Sequence, residues 1–258
     1  MTWLLDLDGV VWLSGRAING SPEAIERLRR SGQRVVFFTN NSGPTVAEQL
    51  AFLAGAGVVT NDEELLTSSQ AAASLLEAGT RAAFIGDAGI AEALIERGIE
   101  IVPATGNPDA VVVGRTTNLS YDGLAEAATA IRDGARFVAT NADATLPTPD
   151  GPMPGAGAIV AFLQVSSGKT PVVAGKPTSA AADLVSARLG KIDVVVGDRP
   201  ETDGLFAREM GARFALVLSG VTSASDLPVE PVPDMVGDDL GAIVSEAFGL
   251  PQPRESES

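Results

Sequence analysis

Short apolar runs recur along this chain, and each stops abruptly at a polar or glycine-bearing turn. The first and sharpest is Leu4 to Trp12, LLDLDGVVW. Its apolar approach broken by Leu7-Asp8-Gly9 reads as a buried strand ending in a tight turn. Further strands are predicted over Arg34–Phe38, Arg81–Ile85, Ala110–Val113, Phe137–Ala139, at Val172-Val173, and over Asp193–Val196, Phe214–Leu218 and Met235–Val236. Between them the 3.6-residue pattern predicts helices over Pro22–Ser31, with Ser21 as N-cap, and over Thr45–Gly55, Ser68–Ala78, Ile90–Arg97 and Tyr121–Asp133. Others follow over Ala158–Leu163 and Ala180–Arg188, and from Thr202 to about Met210. Strand and helix alternate at βαβ spacing, which gives an α/β fold on parallel sheet. The pattern divides into two α/β units, the middle one inserted into the other.

One stretch fits neither period. Asn141 to Gly157 is rich in Pro, Gly and small residues and reads as a long shaped loop, the kind that carries function. The tail Pro251–Ser258 is polar and proline-bearing and is expected to fray.

Composition narrows the chemistry. The chain of 258 residues is 45% apolar, enough to build a core, and has no long uncharged apolar run to span a membrane. No basic flank precedes an apolar stretch at the N-terminus, so a cytoplasmic location is expected. Net charge is −15 with scattered Lys and Arg, which argues against nucleic acid as a partner. Cysteine and histidine are both absent, which removes disulfides, thiolate nucleophiles, Cys/His zinc sites and Ser-His-Asp triads. Proton transfer falls to carboxylates, Lys, Tyr or water, and a metal would be a hard ion held by oxygen, Mg²⁺ first.

Four strand ends carry polar residues: Asp6 with Asp8, Thr39-Asn40-Asn41, Lys176, and Asp198 with Asp203. On one parallel sheet they would converge at its carboxyl edge, where open α/β sheets bind ligands. Each has a plain structural reading alone: a D-x-D-G turn, a helix cap, a solvated loop lysine. In this order, each led by an apolar strand, they read as a site.

DLDGVVW, FFTNNSG, VVAGKP and VVVGDRPETD together resemble the four motifs of the haloacid dehalogenase superfamily, over nearly the whole chain. ATNADATLPTPDGPMPGAGAI, Ala139 to Ile159, is similar to the NagD / p-nitrophenylphosphatase branch, whose α/β cap lies between the second and third motifs. Two departures are small: Pro200-Glu201 stand where the family more often has Leu-Asp, and Gly43 where Ser or Thr is common.

The resemblance implies a Rossmann-like doubly wound parallel sheet core, residues 1–79 and 171–258, and an inserted smaller α/β cap, residues 80–170. It implies Mg²⁺-dependent hydrolysis of a small phosphomonoester of the sugar phosphate, glycerol phosphate, phosphoglycolate or nucleotide type. Asp6 would be the nucleophile that becomes an aspartyl phosphate, and Asp8 the general acid and base. Thr39, Asn40 and Lys176 would bind the phosphoryl group. Asp6, the Asp8 carbonyl and Asp198 would hold Mg²⁺, with Asp203 supporting them. A small phosphorylated metabolite is then the partner, and a homodimer the assembly to test.

The physics is consistent. A carboxylate is a known nucleophile class, but it meets a phosphate dianion. At about 4 Å and an effective dielectric near 20, each unit-charge pair repels by roughly 4 kcal/mol, so a cation is required. Specificity is expected in the cap loop, with Asn141 and Asp143 the candidates to face substrate and Arg115 to Asn118 next. Asp87 and Asp238 read as turn or cap residues. The alternatives are a phosphotransferase or mutase using the same aspartyl phosphate, or a non-catalytic phosphometabolite-binding protein.

Overall fold

The computed structural model describes residues 1–13, 16–147 and 151–249. The predicted fraying tail and Thr148–Asp150 of the cap loop lie outside these. Six parallel strands form the larger sheet, in the order Met235–Gly237, Arg213–Val217, Val194–Gly197, Thr2–Leu5, Arg34–Thr39, Leu65–Thr67. The chain builds outward from the first strand in both directions. Strand order therefore reverses beside Thr2–Leu5, and a crevice opens at the carboxyl ends there.

Strand alternation explains why this sheet is apolar on both faces. Trp3 and Leu5 pack with Phe37, Ile25, Leu28 and Ile243 under the helices Ser21–Arg30 and Leu240–Ala247. Leu4 points the other way and joins Val36, Phe38, Val195 and Phe206. That second cluster runs on without a break to Ala82, Val112 and Val138 of a second sheet. This sheet has five parallel strands, ordered Val172–Val173, Arg136–Ala139, Ala110–Val113, Arg81–Ile85, Glu100–Ile101. Its outer face is covered by the helices Tyr121–Arg132 and Ala156–Ser167. The architecture is a doubly wound α/β core with a smaller inserted α/β cap. No described helix is long and apolar enough to cross a membrane.

Several elements depart from expectation. The cap of the first helix is Gly20, with φ +82°, not Ser21. Ser21 instead donates its hydroxyl to the Val10 carbonyl at 2.8 Å, tying the helix to the turn that follows Asp8. The helix predicted over Ser68–Ala78 ends at Ser74, where Leu75 and Leu76 close a tighter turn on Ala72 and Ala73. The short strand Leu65–Thr67 and the last helix carry little local signal and appear only in the structure. The loop Asn141–Gly157 contains a two-residue antiparallel pairing, Thr145–Leu146 with Met153–Pro154, and the helix after it begins at Ala156.

The strand before Lys176 is the main correction. Val172 and Val173 pair with Val138 and Ala139 at the edge of the cap sheet, not with the core sheet. The four strand ends therefore do not share one sheet. On that pairing we propose that the chain re-enters the core after Val173, not at 171.

Candidate active site

Three core strands end at the crevice. Asp6 follows Thr2–Leu5, and its backbone N–H still donates to the Val196 carbonyl at 2.9 Å. Thr39 closes Arg34–Thr39, and Asp198 follows Val194–Gly197. Lys176 follows the cap's edge strand, Val172–Val173. Asp6, Asp8, Thr39, Asn40, Asn141, Asp143, Lys176 and Asp198 all line one pocket.

A chain of charges runs along its floor. Lys176 Nζ lies 2.9 Å from Asp6 Oδ1 and 2.6 Å from Asp203 Oδ1. Asp203 is fully buried, and its other oxygen accepts the Arg199 backbone N–H at 3.2 Å. Both Asp203 oxygens are thus occupied. Lys176 is buried, which by itself would favour its neutral amine, but the two carboxylates outweigh that and raise its pKa. Burial raises the Asp6 carboxyl, with Lys176 opposing.

Asp198 differs. Its Oδ2 accepts the Val221 N–H at 2.6 Å, while its Oδ1 is buried with no hydrogen-bond partner. Burial, with Asp203 nearby, pushes this carboxyl up to about 7. Oxygens of Asp6, Asp198 and Asp203 lie within 4.8 Å of one another. A buried carboxylate oxygen without a donor is costly unless a cation meets it. The donors are all oxygen, which fits a hard divalent ion. Glycine makes the space: a Cβ at Gly9, where φ is +84°, would sit 2.4 Å from Asp198 Oδ2.

Asp8 lies two residues beyond Asp6. The Trp12 indole N–H donates to its Oδ1 at 3.0 Å. Burial raises the Asp8 carboxyl, and that hydrogen bond opposes the rise. A carboxyl favoured in its neutral form can give a proton. Thr39 Oγ1 accepts the Asn41 N–H at 3.0 Å, which leaves its hydroxyl proton available to an acceptor in the pocket.

Asn40 and the cap loop form a seam. Asn40 Oδ1 accepts the Lys176 N–H at 2.9 Å. Its Nδ2 lies 3.2 Å from both oxygens of Asp143 and from the Lys176 carbonyl. Asn141 Nδ2 donates to the Asn40 carbonyl at 2.6 Å, and its Oδ1 accepts the Asp143 N–H at 3.1 Å. These two loop residues, expected to face substrate, both bond the core's Asn40. Close backbone packing permits this, since a Cβ at Gly155 would meet the Asp143 carbonyl at 2.2 Å. Burial raises the Asp143 carboxyl, opposed chiefly by Arg199.

Sequence reasoning missed Trp12, although it stands four residues after Asp8 in the same turn, and Arg199, which directly follows Asp198. Arg199 donates to the Thr145 carbonyl at 3.2 Å and so ties the core to the cap hairpin. Of the secondary carboxylates, Asp87 occupies the N-cap position of the helix Ala88–Glu96 without capping it through its side chain. The last helix is capped by Asp239, next to Asp238.

Residues 3–100 match the haloacid dehalogenase-like hydrolase family and residues 173–243 a second haloacid dehalogenase hydrolase-like family. A D-glycerol 3-phosphate phosphatase of Mycobacterium tuberculosis is 38% identical over 97% of this chain and 73% of its own length. The crystal structure of a glycerol phosphate phosphatase from that organism in complex with magnesium superposes with a TM-score of 0.87 at 37% identity, covering 94% of this chain and 75% of that one. A p-nitrophenyl phosphatase from Archaeoglobus fulgidus gives 0.88 at 30% identity, covering 95% of this chain and 98% of that one. NagD from E. coli K-12 gives 0.82 at 30% identity, covering 93% and 96%. The chain belongs to the haloacid dehalogenase-like hydrolases, in their NagD / p-nitrophenylphosphatase-like branch, and is a phosphoric monoester hydrolase.

Proposed function

We propose that this enzyme hydrolyses a small phosphomonoester, of the sugar phosphate, glycerol phosphate, phosphoglycolate or nucleotide type, through an aspartyl phosphate on Asp6. The cofactor is Mg²⁺. Asp6, the Asp8 carbonyl and Asp198 would hold it, and Asp203 would support them through Lys176. When bound, the ion neutralises phosphoryl oxygens and lowers the cost of bringing them to a carboxylate.

The residues supply the remaining steps. The Asp6 oxygen not engaged by Lys176 attacks phosphorus as the ester P–O bond breaks. Asp8 gives its proton to the departing oxygen. It then takes a proton from the water that attacks the aspartyl phosphate, releasing inorganic phosphate and restoring Asp6. Lys176 and the Thr39 hydroxyl carry phosphoryl charge, since this reaction rests mainly on positioning and electrostatics. Asn40 contributes by holding the Lys176 backbone.

The observation that carries the reading is the charge chain Asp6–Lys176–Asp203 beside the unpartnered Asp198 oxygen. Turnover of p-nitrophenyl phosphate with Mg²⁺ is expected, with loss on chelation and little support from Ca²⁺. Ca²⁺ favours 6–8 oxygen ligands at longer distances, so it would spoil the attack angle at Asp6. Full activity in chelator would overturn the reading. Transfer of phosphoryl to an added hydroxyl compound without release of inorganic phosphate would make the enzyme a phosphotransferase. A cytoplasmic location and a homodimer belong to the same reading, and light scattering tests the latter.

A further inference from the structure

Among the described residues the pocket contains three cationic side chains, and two are already engaged. Lys176 is bonded to Asp6 and Asp203. Arg199 donates to the Thr145 carbonyl and stands 4.0 Å from Glu201. The third is Arg115, two residues beyond the cap strand Ala110–Val113. It is half-buried and makes no hydrogen bond or ion pair among the described residues. It is near enough to Asp8 to favour that carboxylate. A half-buried guanidinium with no partner among the described residues is positioned for a ligand to complete it. In a chain with 33 acidic and 18 basic residues, a pocket cation that forms no ion pair among the described residues stands out.

We propose that Arg115 is a specificity-determining residue that binds a carboxylate on the substrate, so that the preferred phosphomonoesters carry an acid group near the ester. This rests on the phosphatase reading above and names its substrate class. The phosphoryl group is provided for by Lys176, Thr39 and the metal site, all from the core side. Arg115 stands on the cap side with Leu146 and Pro147, where the leaving group must lie. One guanidinium matches one monoanion in charge and in its planar two-point geometry. A second phosphate dianion would call for a further free cation, and among the described lining residues none remains.

The test compares 3-phosphoglycerate with glycerol 3-phosphate, which differ only in a carboxylate for a hydroxymethyl group. Wild-type kcat/KM is expected to favour the acid. In Arg115→Gln the ratio of the two kcat/KM values should fall by about tenfold or more, mainly through KM, as expected for loss of a charge-assisted hydrogen bond. Arg115→Lys should recover part of it. Inhibition by free glycerate should weaken in the same variant, a binding readout independent of turnover. An unchanged ratio, or equal loss on both substrates, overturns the proposal, the latter because Arg115 would then serve the phosphoryl group. If wild type hydrolyses p-nitrophenyl phosphate yet prefers glycerol 3-phosphate, the proposal fails while the phosphatase reading stands. If it hydrolyses none of the three, the phosphatase reading itself fails.

Discussion

The two sides of the pocket are built in opposite ways. On the core side each of these charged side chains has at least one fixed partner: Asp6 on Lys176, Lys176 on Asp203, Asp203 on the Arg199 backbone, Asp198 on Val221. On the cap side Arg115 has none among the described residues, and Leu146 and Pro147, which line the same pocket, are apolar. On the function proposed above, the core side would face the same group in every substrate, so rigidity there is an advantage to catalysis. The cap side would then face the part that varies, and a cation unengaged among the described residues could be changed there without disturbing the chemistry. Asn40, Asn141 and Asp143 form the seam between the two.

The largest expected effect breaks the core side. Asp6→Asn should reduce turnover to below about a hundredth while circular dichroism is unchanged, because only the attacking oxygen is lost. Retention above that level would mean water attacks directly. Lys176→Met comes next. It strands two buried carboxylates without a countercharge, so a stability loss of about 3–5 kcal/mol is expected in urea titration, along with most of the activity. A variant as stable as wild type would mean that the charge chain is not structural.

A smaller effect belongs to the seam. Asp143→Ala removes one of the two acceptor groups of the Asn40 amide, and through Asn40 it loosens the Lys176 backbone. Turnover of p-nitrophenyl phosphate and of natural substrates should fall in proportion, by about tenfold, as for a lost buried hydrogen bond. A change in substrate ranking instead would place Asp143 on the selecting side with Arg115.

The smallest effect is a control at the opposite end of the sheet. Asp193 accepts the Thr2 N–H at 2.8 Å, and this bond holds its pKa below the ordinary carboxylate value. A depressed folded pKa means the stabilisation is present above the unfolded value near 3.9 and is lost as pH falls through the folded one. Asp193→Asn should lower the melting temperature at pH 7 by about 2 °C or less, and the gap should close below about pH 3. Turnover should be unaffected, which would confine the catalytic consequences to the pocket end of the same strands.

Much of this was legible locally. A buried parallel strand must be apolar on both faces, so its end is marked where apolar residues stop. That is why Asp6, Thr39 and Asp198 could be located from the runs LLD, VVFFTN and VVVGD. The absence of cysteine and histidine left oxygen donors for any metal, and the buried Asp198 oxygen is of that kind. What the chain alone could not decide was which edge each strand would join. Val172–Val173 is two residues long and equally apolar wherever it pairs, so its place beside Val138 and Ala139 is set by the packing of the cap. Lys176 consequently reaches Asp6 and Asp203 from a segment that follows a cap strand, not from the end of a core strand. The Asn40–Asp143 bond joins residues 103 positions apart, and no local pattern encodes such a contact. That Arg115 forms no hydrogen bond or ion pair among the described residues is of the same kind: sequence determined that the guanidinium exists, and only tertiary structure decided which described carboxylates would pair with it.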